Sequence, residues 1–94
     1  MRLKIGRIGI LEELWPDKKF WINYKGKAEF KALIDFLKDE YGEQFCKELF
    51  ANGKFHPWVV ILLNGKNVFA IDQELKIPLQ EGDEIIFTLK ISGG

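Results

Sequence analysis

Residues 28–41 limit what this chain can fold into more than any other stretch. Phe30, Leu33, Ile34, Leu37 and Tyr41 recur at helical spacing and make one apolar stripe. Lys31, Asp35, Lys38 and Asp39 occupy the opposite side, and Gly42 follows as a stop signal. A helix with one such stripe must bury it against another layer. The sequence on both sides of it offers strands.

Upstream, residues 2–11 read as a first strand, in which Leu3 and Ile5 alternate with Arg2 and Lys4. The alternation slips at Gly6-Arg7 and resumes as Ile8 and Ile10, which predicts a bulge or bend. Glu12-Glu13 and Pro16-Asp17 mark a loop. Residues 19–24 read as a second strand, with Phe20 and Ile22 on one face and Trp21 on the other. Downstream of Gly42, Phe45, Cys46, Leu49 and Phe50 fit a short second helix ended by Asn52-Gly53. Residues 58–63 are an unbroken apolar run expected to be a buried strand. Asn64-Gly65 is a strong hairpin signal, and residues 67–71 are the expected return strand. Residues 72–80 read as a connector. Gly82-Asp83 then turns into a last strand whose Ile85, Phe87, Leu89 and Ile91 share a face. This order predicts an α+β fold: a mixed sheet of about five strands with one main helix packed on one face. Its simplest realisation is the ubiquitin-like β-grasp, with first and last strands as parallel central neighbours. Residues 1–94 are expected to form one domain with a flexible C-terminal tail, 92–94.

Charge narrows the function classes. The 14 basic and 14 acidic residues cancel, so there is no electrostatic reason to expect nucleic acid or an anionic membrane as partner. No apolar run approaches the ~20 residues of a membrane span. The alternating start, Met1-Arg2-Leu3-Lys4-Ile5, is unlike a signal peptide, and a single cysteine allows no internal disulfide. The expectation is a soluble, cytoplasmic protein.

Side-chain chemistry is sparse. The one histidine, His56, lies beside Pro57 in a connector and reads as a surface or capping residue. No His or Cys stands near it at metal-ligand spacing. Cys46 could be a nucleophile or a persulfide acceptor, but its helical phase with Phe45, Leu49 and Phe50 favours a packed thiol. Glu12-Glu13 and Asp83-Glu84 are paired carboxylates, yet neighbouring strand residues point to opposite faces. No intrinsic catalytic residue, metal site or bound cofactor is expected.

What remains is the end of the chain. Asn64-Gly65-Lys66-Asn67, Pro78-Leu79, Gly82-Asp83-Glu84-Ile85-Ile86-Phe87 and Ser92-Gly93-Gly94 together resemble the C-terminal half of the MoaD family. These ubiquitin-like sulfur carriers include the small subunit of molybdopterin synthase. The related ThiS proteins also end in Gly-Gly but lack an insert like residues 43–57. MoaD proteins often place prolines before the final glycines, where this chain has Thr88-Leu89-Lys90-Ile91. The resemblance implies that Gly94 is adenylated by an ATP-dependent activating enzyme of MoeB/ThiF type, which uses ATP-Mg. Sulfur then displaces AMP to leave a C-terminal thiocarboxylate. A larger subunit, like MoaE, would take the tail into its own active site, with Gly93 giving clearance and Ser92 acting as spacer. Residues 91–94, extended, reach about 13 Å. Glycine fits where any side chain would clash. Val60, Leu62, Phe69 and Ile86 are the candidates for an outward-facing docking patch. Two other readings stand beside the carrier, which would serve molybdenum or tungsten cofactor synthesis or a similar pathway. One is a protein modifier joined to lysines through Gly94. The other is a β-grasp interaction module with an inert terminus, like the TGS-type domains.

Overall fold

The structure, a computed structural model, describes residues 1–90. In chain order its elements are β1 (Arg2–Arg7), β2 (Lys19–Asn23), α1 (Phe30–Leu49), β3 (Phe50–Ala51), β4 (Lys54–Phe55), β5 (Val59–Leu63), β6 (Lys66–Asn67), α2 (Val68–Ile71) and β7 (Glu84–Leu89). Among the described residues, five strands form one mixed sheet in the order β2-β1-β7-β5-β6. β1 and β7 run parallel at its centre with Ile5 beside Ile85, and the other pairs are antiparallel. This is the β-grasp arrangement that the order of strands and helix predicts.

Strand alternation puts Leu3, Ile5, Val59, Ile61, Leu63, Ile85 and Phe87 in the core. α1 meets them with the buried Phe30, Leu33, Ile34 and Leu37. Burying each such side chain contributes about 1.5–3 kcal/mol. Gly42 (φ 66°) breaks α1 into two segments, and the second carries Phe45 and Leu49 into the same core. The first segment starts without a side-chain cap at Glu29. Residues 72–80 replace that cap: Phe30 N–H donates to Ile77 O at 2.8 Å and Lys31 N–H to Leu75 O at 3.1 Å. Leu75, Ile77 and Leu79 point inward from this strip.

Three local expectations change. β1 stops at Arg7, and Gly6 is no bulge: it pairs in register with Lys19 and Ile86. A Cβ on Gly6 would lie 2.6 Å from Ile86 Cδ1, so glycine is needed for close packing across the sheet. The loop after β1 also lends side chains to the core. Ile10, Leu11 and Trp15 are buried, and the Trp15 ring touches Phe20, Tyr41, Phe45 and Phe87. Arg7 donates to the carbonyls of Trp15 and Pro16, and Glu48 accepts from Leu11 N–H, which ties the loop down. Finally, the return strand is only Lys66–Asn67. The Asn67 side chain accepts from Phe69 N–H at 3.0 Å and starts the single turn α2 in place of further strand.

Candidate tail-presenting face

β7 is the strand that delivers the chain to residues 91–94, so its two ends define the site. Its start is fixed by two turns that grip each other. Asn64 (φ 50°) and Gly65 (φ 86°) form the tight β5–β6 hairpin turn, and Gly82 (φ 85°) bends the chain into β7. Asp83 accepts from Gln80 N–H and from the Asn64 side-chain amide, both at 2.8 Å. The Asn64 side-chain oxygen accepts from Glu84 N–H at 2.9 Å, and Asn64 N–H donates to Glu84 O at 2.8 Å. These motif residues act as a clamp on the base of the strand.

Along β7, Ile85 and Phe87 face the helix, and Ile86 and Thr88 face away. On that open face Ile86 lies beside Gly6 of β1 and Leu62 of β5, and Thr88 lies beside Val60. The structure therefore places Val60, Leu62 and Ile86 on one face of the sheet. Ile86 is itself 7% exposed, because Gly6 lets it lie flat on the sheet. Phe69 does not join them. It belongs to α2 and packs edge-on to Phe55 at 5.2 Å, against the helix-side core. A strand over residues 67–71 would turn it outward, and the turn of helix that forms there changes every direction after Asn67.

Two residues missing from the sequence reading complete the face at the far end of β7. Ile8 is 62% exposed and Trp58 49% exposed. Ile8 N–H donates to Phe87 O, and the Thr88 hydroxyl donates to Ile8 O. Lys90 N–H donates to Trp58 O at 2.8 Å. β7 thus ends between two exposed apolar side chains. The available signal for Ile8 was its phase: it follows Arg2, Lys4 and Gly6, not Leu3 and Ile5. His56 stacks on Trp58 with ring centroids 4.3 Å apart, and its backbone N–H donates to Leu49 O. Cys46 is half-buried.

The other end of the same face is charged. Lys19 pairs with Glu84 at 3.2 Å, and Arg2 lies over the Trp21 ring at 4.5 Å. Among the described residues no group of three His, Cys, Asp or Glu side chains could hold a metal ion, and no helix is long and apolar enough to cross a membrane. Ser92, Gly93 and Gly94, the expected reactive tail, lie outside the described residues.

Comparison with known proteins bears on what this face serves. The family model Urm1 (Ubiquitin related modifier) matches residues 5–94. Ubiquitin-related modifier 1 of Schizosaccharomyces pombe is 28% identical over 98 aligned positions, covering 100% of both chains. SAMP1 from Haloferax volcanii superposes with a TM-score of 0.75 at 19% identity, covering 100% of both chains. The complex of subunits 1 and 2 of molybdopterin-converting factor from Helicobacter pylori 26695 contains a chain similar at a TM-score of 0.64 and 21% identity, again over 100% of both chains. At those identities the two structures establish the shared ubiquitin-like β-grasp fold, in which the MoaD-like resemblance also holds. The match over residues 5–94 places this chain in the Urm1 ubiquitin-related modifier family, small proteins that act as carriers or modifiers and are not themselves enzymes.

Proposed function

We propose that this protein is a sulfur carrier whose Gly94 carboxylate is the reacting group. The observation that carries the reading is the build of β7, the strand that precedes residues 91–94: it is clamped at its base by Asn64 and Asp83 and ends between the exposed Ile8 and Trp58. The family match that runs to residue 94 supports it. A carboxylate resists displacement until its oxygen becomes a good leaving group. A partner activating enzyme with ATP-Mg therefore joins it to AMP with release of pyrophosphate, and sulfide from a sulfur donor then displaces AMP to leave a thiocarboxylate. Ser92 and Gly93 thread into that enzyme and then into a second partner, such as the larger subunit of a molybdopterin synthase. Val60, Leu62 and Ile86, with Ile8 and Trp58, dock against both. Molybdenum or tungsten cofactor synthesis is the recipient pathway that the MoaD-like residues favour.

A second reading draws on the name of the matched family. The same activated Gly94 is joined to lysines of other proteins. One experiment separates the two. The protein is incubated with ATP, its cognate activating enzyme and a sulfur donor, and intact mass is measured. Exchange of one oxygen for sulfur at Gly94 supports the carrier, and adducts on target lysines support the modifier. Unchanged function after a residue is added beyond Gly94 overturns both.

A further inference from the structure

The outer edge of β2 differs in kind from the face along β7. β2 is the end strand of the sheet. Arg7 N–H donates to Lys18 O and Tyr24 N–H to Met1 O, with Ile5 opposite Phe20 and Leu3 opposite Ile22. That phase turns the backbone groups of Phe20 and Ile22 toward β1. The N–H and C=O groups of Lys19, Trp21 and Asn23 point away from the sheet, and no described element pairs with them. A bare edge of this kind is a template for one more strand.

Both faces beside this edge offer room for alternate side chains of an added strand. On the helix side a cleft of about 310 Å³ is lined by Leu14, Trp15, Pro16, Asp17, Phe20 and Tyr41. On the open side Trp21 is 48% exposed, with Arg2 and Lys4 over its ring at 4.5 and 5.6 Å. Charge selects the occupant. The exposed Lys18, Lys19, Lys25 and Lys27 bracket the strand, and Asp17 is the acid at its entrance. Lys19 and Lys27 are paired with Glu84 and Glu29, whereas Lys18 and Lys25 have no ion pair among the described residues. Two copies of this edge would set these lysines against each other. We infer that the β2 edge captures an extended acidic segment of another protein, with alternating apolar residues, by main-chain pairing. The tail-presenting strip on β7 and β5 stays free, so both sites work at once.

The test uses an N-acetylated, C-amidated peptide of about eight alternating valine and glutamate residues, long enough to span β2. Nuclear magnetic resonance follows the amides of the full chain. The expected result is amide exchange slowed about tenfold at Lys19, Trp21 and Asn23. The same peptide N-methylated at every amide, which leaves neither edge able to pair, should lose this protection. The variant Lys18→Glu with Lys25→Glu should bind about fivefold more weakly with an unchanged melting temperature, as expected for exposed charges. Equal binding of the N-methylated peptide or of the lysine variant overturns the proposal. So does protection confined to the Val60–Ile86 face. Protection of the same three amides in the protein alone, growing with its concentration, assigns the edge to a second copy and also overturns it.

Discussion

Tyr24 is 1% exposed, and its hydroxyl donates to Lys27 O at 2.7 Å. Burial, and then the charges of Asp35 and Glu29, raise its pKa above the usual phenol value. The fold therefore holds this proton more tightly than the unfolded chain does. That stabilisation is complete below a pH of about 10 and is lost as pH rises through the folded value. Melting temperature should accordingly fall on the alkaline side of about pH 10. Tyr24→Phe should cost about 0.5–1.5 kcal/mol at neutral pH and make that fall shallower in thermal melts. The fall should persist in part, because burial raises Tyr41 in the same direction. The ring of Tyr24 also explains Gly26, where a Cβ would lie 2.8 Å or less from three Tyr24 atoms. Gly26→Ala should lose about 1–3 kcal/mol by denaturant unfolding. Gly26 is legible in the sequence as a strand breaker, but not as the floor under a buried ring. The contact depends on how the chain folds back after β2. Trp15 was illegible for a related reason: loop composition around it hides a side chain that the core recruits from a distance.

The clamp at the base of β7 couples two turns that are 19 residues apart between Asn64 and Asp83. Each turn was readable from its own Asn-Gly or Gly-Asp signal, since those signals are local. Their mutual hydrogen bonds were not, because they exist only once β5 and β7 are neighbours. Asp83→Ala should cost about 0.5–1.5 kcal/mol, since it removes the acceptor of the Gln80 N–H and the Asn64 amide, both exposed enough to turn to water. A double-mutant cycle of Asp83→Ala with Asn64→Ala, read by denaturant unfolding, should give a coupling of at least about 0.5 kcal/mol. Helix α1 and the strands were legible because periodicity spans several turns or pairs. The return after Asn64-Gly65 was not, since Asn67 caps a helix with its side chain where period-two patterning suggests strand. Residues 72–80 show the same limit. Leu75, Ile77 and Leu79 alternate like a strand, yet Leu75 and Ile77 offer carbonyls to the start of α1 and Leu79 N–H donates to Ala28 O just before it.

On the scale of the molecule, the sheet separates two jobs. The helix side is closed by the core, and the open side grades from charged at Lys19 and Glu84 to apolar at Ile8, Val60 and Trp58. An apolar strip that reaches the end of β7 can orient the following residues in a partner only if the strip itself is recognised. Ile8 is the discriminating position, because at 62% exposure its replacement removes little packing from the fold. Ile8→Asp should therefore keep the melting temperature and lower kcat/KM for activation of Gly94 by the cognate enzyme about tenfold, a loss typical of an interface residue that matters. Trp21→Ala, on the same face but at the distant edge strand, should leave that rate unchanged. Recognition of apolar area is also screened little by salt, so the Ile8→Asp defect should persist at about 1 M salt, where exposed charge effects fade within about 3 Å. A normal rate for Ile8→Asp would mean that the partner grips residues 92–94 without reading the sheet.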